Sequence, residues 1–274
     1  MPSDRQRRFD IAHSIDGGMY LRRLRVDTPA GTLLYVHGLG ESGLCFERLI
    51  ADQRLSGWSH LAADLVGYGK SFWAAEPLTL DQHAARLAEL LDRTSAAPAV
   101  VLGHSMGGVI GTLLGKRAPH RIAAFVNVEG NVSPPDCTFS SQAERFSLAD
   151  WLDHGYGQVL DGLYRDQDED PAVLRPYCAS IQMCDPRAFH RNATELVEWS
   201  ATESLAATMA AIDRPAIYVF GAPRGSGDRS RGLLADAGVE MVGIPHAGHW
   251  PFLDQHDAFV TELLAFLARL GPET

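Results

Sequence analysis

One pentapeptide in the sequence has the spacing of a nucleophilic serine. Gly103-His104-Ser105-Met106-Gly107 fits the pattern G-x-S-x-G and lies between an apolar run and a segment with helical character. A serine on a sharp strand-to-helix turn leaves no room for side chains two positions before or after it, so glycine is needed at both. The turn places the hydroxyl at a helix N-terminus, where developing negative charge is favoured. Ser105 is therefore the candidate nucleophile, and a glycine-rich strand-helix junction is the alternative interpretation.

A second glycine-rich segment could stabilise the negative charge that attack by a serine creates. Residues 35–42, YVHGLGES, follow a buried apolar run. Backbone N–H groups in such a loop and at a helix N-terminus are suited to hold an oxyanion. We assign the two donors to the N–H groups of Leu39 and Met106. We expect His37 to order the loop rather than to act as a base.

The candidate base lies near the end of the sequence. His246 and His249 both occur in the segment IPHAGHWPF, after the last predicted strand. A histidine in a tight loop at this position can reach across to a serine, which needs a base within hydrogen-bond distance. The residues themselves leave both histidines open.

Two acids are candidates for orienting that base. Glu129 directly follows the apolar run 122–128 and precedes Gly130, whereas Asp228 lies in a Gly/Ser-rich segment where a helix cap is the alternative interpretation. An acid at the end of a buried strand must find a partner, because an unpaired buried charge is costly. Triads are defined by geometry rather than by position in the chain. We therefore favour Glu129 and keep Asp228 as the alternative acid.

The elements that must position these groups alternate between strands and helices. Helical patterns cover 46–55, a stretch beginning at the capping box of Thr79 and Gln82, 106–117 and 259–270. This alternation predicts an α/β fold with a mostly parallel eight-stranded sheet, helices on both faces and an antiparallel hairpin at one edge. The predicted strands are 9–15, 19–26, 31–36, 60–65, 99–102, 122–128, 216–220 and 239–244.

One long stretch after the sixth predicted strand breaks the alternation. Residues 131–211 contain several prolines, the acidic run 166–170 and no strand pattern. We predict that they form a helical cap inserted into a core built from residues 1–130 and 212–274. Aromatic side chains of the cap and two core residues beside the proposed base and nucleophile are expected to form an apolar pocket. The candidate substrate-binding residues are His104, Trp151, Tyr156, Tyr164 and Trp250.

The motifs together resemble those of the α/β-hydrolase superfamily. HGLGES, DLVGYGKS, GHSMGG and HAGHWPF occur in that family's order and spacing and cover nearly the whole chain outside the insertion. The resemblance implies the α/β-hydrolase fold and places the base in the last motif at His249 rather than His246. In the family the acid usually follows strand seven, but three residues beyond Gly221 this chain has Arg224. Some members carry the acid after strand six, a position that resembles Glu129.

These features predict an enzyme, a serine hydrolase that cleaves a carboxylic ester or lactone of a small, largely apolar molecule through an acyl-enzyme on Ser105. The same motifs are compatible with a C–C bond hydrolase, an acyltransferase or a lyase, because the fold does not fix the reaction. A more remote alternative is a ligand-binding receptor that retains a hydrolase pocket.

Composition excludes other classes of function. The 274 residues include 24 basic and 34 acidic ones, a net charge of −10 that disfavours nucleic acid as a partner. With no apolar run of about 18 residues and no signal-peptide pattern, we expect no membrane partner and a cytoplasmic location. No Cys/His spacing suggests a metal site, and the predicted chemistry needs no cofactor. The expected partner is a small-molecule substrate; the oligomeric state is left open.

Overall fold

A single mixed sheet forms the centre of the molecule. The computed structural model describes residues 11–95, 97–165 and 171–270. Within them, eight strands pair in the order β1-β2-β4-β3-β5-β6-β7-β8. Their bounds are β1 Ala12–Asp16, β2 Met19–Leu24, β3 Thr32–Val36, β4 Ser59–Asp64, β5 Ala99–His104, β6 Ile122–Val128, β7 Ala216–Pro223 and β8 Glu240–Ala247.

The direction of the strands confirms the predicted mostly parallel sheet. The hairpin β1-β2 and the pair β2-β4 are antiparallel, whereas the pairs from β4 through β3, β5, β6 and β7 to β8 are parallel. Val36 pairs with Gly103, and His104 pairs with Val128. The carboxyl ends of β3, β5 and β6 therefore lie side by side at one edge of the sheet, and the loops that follow them meet there.

Helices cover the sheet and fill the long connection between β6 and β7. The α-helices of the described residues are α1 Glu47–Ile50, α2 Leu80–Thr94, α3 Met106–Arg117, α4 Ser140–Glu144, α5 Leu148–Asp150, α6 Tyr156–Arg165, α7 Pro171–Ile181, α8 Pro186–Ala201, α9 Leu205–Ala210, α10 Asp228–Asp236, α11 Pro251–Asp254 and α12 His256–Leu267. Short 3₁₀ turns occupy Gly43–Phe46, Gln53–Leu55, Pro119–Arg121 and Pro134–Asp136, and a π turn occupies Trp151–Gly155.

Local sequence signals account for some helix boundaries and miss others. The predicted capping box is present at the start of α2, where Thr79 and Gln82 each bond the backbone N–H of the other. The single helix predicted over 46–55 is instead three short pieces, because the side chain of Asp52 accepts the backbone N–H of Arg54 and starts a separate turn. The closing helix predicted over 259–270 is α12, which begins three residues earlier and ends three residues earlier than predicted.

The central strands are buried on both faces. Every residue of β5 and β6 is buried, and α3 is buried along nearly its whole length against them. Such burial is typical of parallel strands covered by helices on both sides. It fixes the carboxyl ends of β5 and β6, from which Ser105 and Glu129 follow directly.

The segment between β6 and β7 lies against the loops that follow β3 and β4. Tyr68 Oη donates to Asn192 Oδ1 at 2.7 Å, and the hydroxyls of Ser42 and Ser180 are 2.8 Å apart. In its described residues the segment contains helical turns and no strand, and the predicted acidic run 166–170 lies outside the described residues. The division into a core and a cap at 131 and 211 stays a prediction.

The helices α2 and α8 have 15 and 16 residues. Among the described residues, none is both long and apolar enough to cross a bilayer. The cytoplasmic location stays a prediction.

Candidate active site

Ser105 lies on a strained turn between β5 and α3. Its backbone has a positive φ of 53° with a ψ of −118°, a conformation that residues other than glycine rarely adopt. A Cβ on Gly103 would lie 2.2 Å from the carbonyl oxygen of Gly107, and a Cβ on Gly107 would lie 2.0 Å from that of Val36. Both glycines of the motif are therefore required by close backbone contacts, as the G-x-S-x-G spacing predicts.

The loop after β3 packs directly against this turn. A Cβ on Gly38 would lie 3.0 Å from the Cβ of Ser105, so the next residue, Leu39, follows beside the nucleophile. His37 orders the loop, as expected: its Nδ1 donates to the Gly38 carbonyl at 2.8 Å, and its Nε2 accepts the N–H of Leu65 at 3.0 Å. Burial lowers the pKa of His37, which keeps the ring neutral in this arrangement.

Glu129 faces His249 across the same edge of the sheet. His249 Nδ1 lies 3.4 Å from Glu129 Oε2. The carboxylate is buried and accepts three hydrogen bonds from the end of β7 and the loop that follows it: from Gly221 N at 2.7 Å, Ser226 N at 3.1 Å and Ser226 Oγ at 3.2 Å. A Cβ on Gly225 would lie 2.1 Å from Glu129 Oε1, so glycine is needed there. These hydrogen bonds hold the carboxylate in place.

The alternative acid, Asp228, and the alternative base, His246, lie on the exposed surface. Asp228 begins α10 with a side chain that is 99% exposed and paired with Arg231. His246 is exposed at a backbone φ of 59°. His249, by contrast, is half-buried and contacts the ring of His104 at a centroid distance of 4.8 Å. The geometry therefore brings His249 and Glu129, and not His246 or Asp228, to the carboxyl end of β5.

A second buried carboxylate, which the sequence did not single out, connects the parts of the site. Glu41 Oε2 accepts from Gly38 N at 2.6 Å and from His104 Nδ1 at 2.8 Å, and its Oε1 accepts from Trp250 Nε1 at 2.6 Å. His104 Nε2 in turn donates to the carbonyl of His249 at 2.8 Å. Glu41 thus bonds the loop after β3, the residue before the nucleophile and the residue after the proposed base.

Both members of the Glu41–His104 pair are charged. Burial alone would raise the pKa of Glu41, but the charge and hydrogen bond of His104, with the hydrogen bonds from Trp250 and Gly38, lower it to about 2. Burial alone would lower the pKa of His104, yet the charge and hydrogen bond of Glu41 leave it raised above its ordinary value. Both ring nitrogens of His104 donate, which agrees with a protonated imidazole.

A small cavity of about 20 Å³ lies above the serine. Its lining includes two of the predicted substrate-binding residues, His104 and Trp250, together with Ser105 and His249. Leu39, one of the two assigned oxyanion donors, also lines the cavity. The remaining lining residues are Gly38, Glu41, Asn131, Asp136, Thr138, Phe139, Ser140, Tyr177 and Leu196.

Two of the predicted substrate-binding residues, Trp151 and Tyr156, are not among the residues that line this cavity. Trp151 is fully buried, stacks on Phe189 at 5.4 Å and donates its indole N–H to the Pro186 carbonyl at 2.8 Å. Tyr156 donates its hydroxyl to the carbonyl of Ile181. Both pack helices against each other because large rings in a short helical segment also supply its core. The side chain of Tyr164 lies outside the described residues.

The missed residues had only weak signals in the sequence. Glu41 and Tyr177 are single residues whose partners lie far away in the chain, so neither forms a motif. The acidic residue inside the glycine-rich segment HGLGES was the one available indication for Glu41. Among the described residues, no group of three or more His, Cys, Asp or Glu side chains is arranged to hold a metal ion.

Comparison with known proteins agrees with the fold described above. A family model described as alpha/beta hydrolase fold matches residues 31–166. The chain is 32% identical to Lipase LipV of Mycobacterium tuberculosis over 157 residues, which are 57% of this chain and 59% of the lipase. The match thus spans about three-fifths of the lipase's length.

Solved structures share the fold over nearly the whole chain. An esterase from Thermogutta terrifontis superposes with a TM-score of 0.75 at 20% identity, covering 96% of this chain and 98% of the esterase. The enol-lactonase of Burkholderia xenovorans LB400 superposes with a TM-score of 0.75 at 21% identity, covering 94% of this chain and all of the lactonase. The chain therefore has the α/β-hydrolase fold, and the proteins it resembles include ones named lipase, esterase and lactonase.

Proposed function

We propose that the protein is a serine hydrolase that cleaves a carboxylic ester or lactone of a small, largely apolar molecule. His249, oriented by Glu129, removes the proton of Ser105, whose oxygen attacks the carbonyl carbon. The tetrahedral intermediate collapses to an acyl-enzyme when His249 protonates the departing alkoxide. Water, deprotonated by His249, then releases the acid and restores the serine.

The observation that carries the proposal is that Ser105 and His249 line one cavity while a buried carboxylate lies beside the histidine. His249 Nδ1 lies 3.4 Å from the carboxylate of Glu129. That carboxylate also accepts hydrogen bonds from Gly221 and Ser226, which hold its position. An oriented base beside a serine on a strained turn is the arrangement that acyl transfer requires.

We assign stabilisation of the oxyanion to two backbone N–H groups, those of Met106 and Leu39. Met106 begins α3, where its N–H is one of the donors that a helix leaves unbonded at its first turn. Leu39 follows Gly38, which packs on Ser105. Loss of one donor of this kind typically costs about 10²–10³ in kcat.

The cavity supports a small substrate with a largely apolar part. The cavity is small, about 20 Å³ against the roughly 300–1,000 Å³ that is usual for small-molecule sites, so as it stands it encloses only a small part of a substrate. Leu39, Phe139, Leu196 and Trp250 supply apolar walls, and polar side chains, among them Asn131, Asp136 and Thr138, make up much of the rest. Relatives named lipase, esterase and lactonase accord with an ester or lactone.

Replacement of the nucleophile tests the proposal. In Ser105→Ala we expect turnover of p-nitrophenyl butyrate to fall by about 10⁴ or more, because the acyl-enzyme cannot form. A fluorophosphonate probe should label the wild type once and the variant not at all. Ser56→Ala, a half-buried serine outside the cavity lining, should keep wild-type turnover and labelling.

Two results would contradict the proposal. Ester turnover by Ser105→Ala at the wild-type rate would remove the serine from the reaction. Labelling of the wild type without multiple turnovers of any ester or lactone would instead favour a receptor, and cleavage of a diketone without ester hydrolysis would favour C–C bond cleavage.

A further inference from the structure

The hydroxyl of one buried tyrosine in the cavity wall has no hydrogen-bond partner among the described residues. Tyr177, on α7, is 4% exposed, and its side chain lines the cavity above Ser105. Within the described part of the chain, its Oη is enclosed without a hydrogen-bond partner. Most buried hydroxyls are bonded, since burial without a partner costs free energy. An exception at a cavity wall indicates a partner that the protein itself does not supply.

Packing fixes the position of this hydroxyl. The ring contacts Trp250 edge-on at a centroid distance of 5.8 Å and Phe139 at 5.7 Å. At its far end, a Cβ on Gly40 would lie 2.8 Å from Oη, so the hydroxyl sits over the glycine that follows Leu39. Gly40 also has a φ of +74°, which independently requires glycine. The Tyr177 hydroxyl is therefore held beside the loop that contributes one of the proposed oxyanion donors.

The hydroxyl is a hydrogen-bond donor at neutral pH. Burial raises the pKa of Tyr177 far above its ordinary value, and the nearby charge of Glu41 raises it further. The phenol consequently stays protonated. A donor at this position fits an acceptor oxygen of the bound molecule.

We propose that Tyr177 Oη donates a hydrogen bond to a second oxygen of the substrate, within a few bonds of the scissile carbonyl. The inference rests on the proposed function, and it narrows the substrate class. The preferred substrates are esters or lactones that carry an ether, hydroxyl or carbonyl oxygen close to the reacting centre, and plain hydrocarbon esters lack the matching group. A site built to bond such an oxygen discriminates against analogues without it, because its donor is then left unpaired.

Tyr177→Phe tests the proposal with two matched ester pairs. In p-nitrophenyl butyrate and p-nitrophenyl methoxyacetate an acyl CH₂ is exchanged for oxygen, and in butyl butyrate and 2-methoxyethyl butyrate the exchange is on the alcohol side. For the oxygen-bearing member of at least one pair we expect kcat/KM to fall about tenfold in the variant, against less than twofold for its hydrocarbon partner. Each ester is compared with itself in the two enzymes, so its intrinsic reactivity cancels.

A control variant and a stability measurement separate this role from a structural one. Tyr35→Phe removes another buried phenolic oxygen, one that bonds His60 at 2.9 Å outside the cavity, and should not change the preference within either pair. Tyr177→Phe should also unfold at a urea concentration no lower than that of the wild type, because an unpaired buried hydroxyl is removed.

The possible failures are distinguishable. Equal losses of kcat/KM for both members of each pair, or unfolding of Tyr177→Phe at a lower urea concentration, would show that the hydroxyl has a structural role. Either result would overturn this inference and leave the proposed function intact. If the wild type hydrolyses none of the four esters, the proposed function falls and the substrate preference falls with it.

Discussion

The backbone conformation of Glu129 is set by a sharp turn and by a hydrogen bond to the neighbouring strand. Its φ of 54° turns the chain sharply at the end of β6, and its N–H donates to the Val219 carbonyl at 2.9 Å. The end of β7 and the loop after it, where the family usually carries the acid, supply Gly221 and Ser226 as donors to Glu129 instead. In this chain that region therefore bonds the carboxylate and does not provide it. The carboxylate of Glu129 still lies beside Nδ1 of His249.

The role of this acid can be tested by neutral replacements of equal size. We expect Glu129→Gln to lower kcat by about 10³–10⁴, because the amide can neither stabilise the imidazolium nor fix its tautomer. Asp228→Asn should stay within about twofold, since its carboxylate is exposed and paired with Arg231. Steady-state kinetics on one ester measure both variants, and a larger loss in Asp228→Asn would reverse the assignment.

The Glu41–His104 pair should affect stability in a defined range of pH. The folded pKa of Glu41 is lowered from 4.5 to about 2, so its stabilisation is full above about pH 4.5 and is lost as the pH falls toward 2. The folded pKa of His104 is raised, so its stabilisation is full below pH 6.5 and is lost as the pH rises through the folded pKa. The pair therefore stabilises the fold most between about pH 4.5 and 6.5.

A double-mutant cycle measures this contribution. Glu41→Gln leaves a buried cation unpaired, and we expect a loss of about 3 kcal/mol in the free energy of unfolding near pH 6. Glu41→Gln/His104→Gln should lose less than the sum of the two single variants. Urea unfolding across pH 3 to 9 gives the four free energies, and a coupling that does not change with pH would show that the pair is not ionised.

At the level of elements, the strand-turn-helix unit β5–α3 depends on glycines that no larger residue can replace. A methyl group on Gly107 would lie 2.0 Å from the Val36 carbonyl oxygen, inside any allowed contact. The contact is with backbone on both sides, so relief requires a shift of β3 or of the turn that carries Ser105.

We therefore expect Gly107→Ala to destabilise the protein by about 1–3 kcal/mol and to slow labelling of Ser105 by a fluorophosphonate. Gly232→Ala is the matched control, because Gly232 lies inside α10 with no atom near its missing Cβ. That variant should be neutral or more stable by up to about 1 kcal/mol, since alanine is the better helix former. Thermal unfolding measures the change in stability, and the rate of fluorophosphonate labelling measures the effect on Ser105. An unchanged labelling rate in Gly107→Ala would contradict the steric argument.

At the level of the whole molecule, the segment between β6 and β7 is connected to the sheet by buried polar contacts. Asn192 accepts from Tyr68 and donates to the Leu78 carbonyl at 2.8 Å, and Asp185 N donates to the Gly67 carbonyl at 2.8 Å. Apolar side chains of the segment belong to the same continuous core as those of the sheet. Shared core packing of this kind favours a single cooperative unfolding unit.

We expect one unfolding transition for the whole chain. Tryptophan fluorescence reports on both parts, because Trp151 and Trp199 lie in the segment and Trp58 and Trp250 lie outside it. Their emission and the far-ultraviolet circular dichroism should change at the same urea concentration. Two separated transitions would show that the segment unfolds independently of the sheet.

The sequence by itself determined the features that depend on neighbours in the chain. Alternating apolar runs specified the strands and their mainly parallel order, because buried strands and amphipathic helices have distinct periods. The spacing in Gly103-His104-Ser105-Met106-Gly107 specified the turn, since its steric demand falls on residues two positions apart. The resemblance of motifs then favoured His249 over His246.

Only the tertiary structure decided which distant side chains meet. Glu41 joins loops from both ends of the chain through His104 and Trp250, and such contacts leave no periodic trace in the sequence. The aromatic residues of the inserted segment look alike in the sequence, yet Trp151 packs between helices while Tyr177 lines the cavity with an unpaired hydroxyl. Which side of a helix faces the cavity depends on how the helices pack, and that packing is fixed by contacts far apart in the chain.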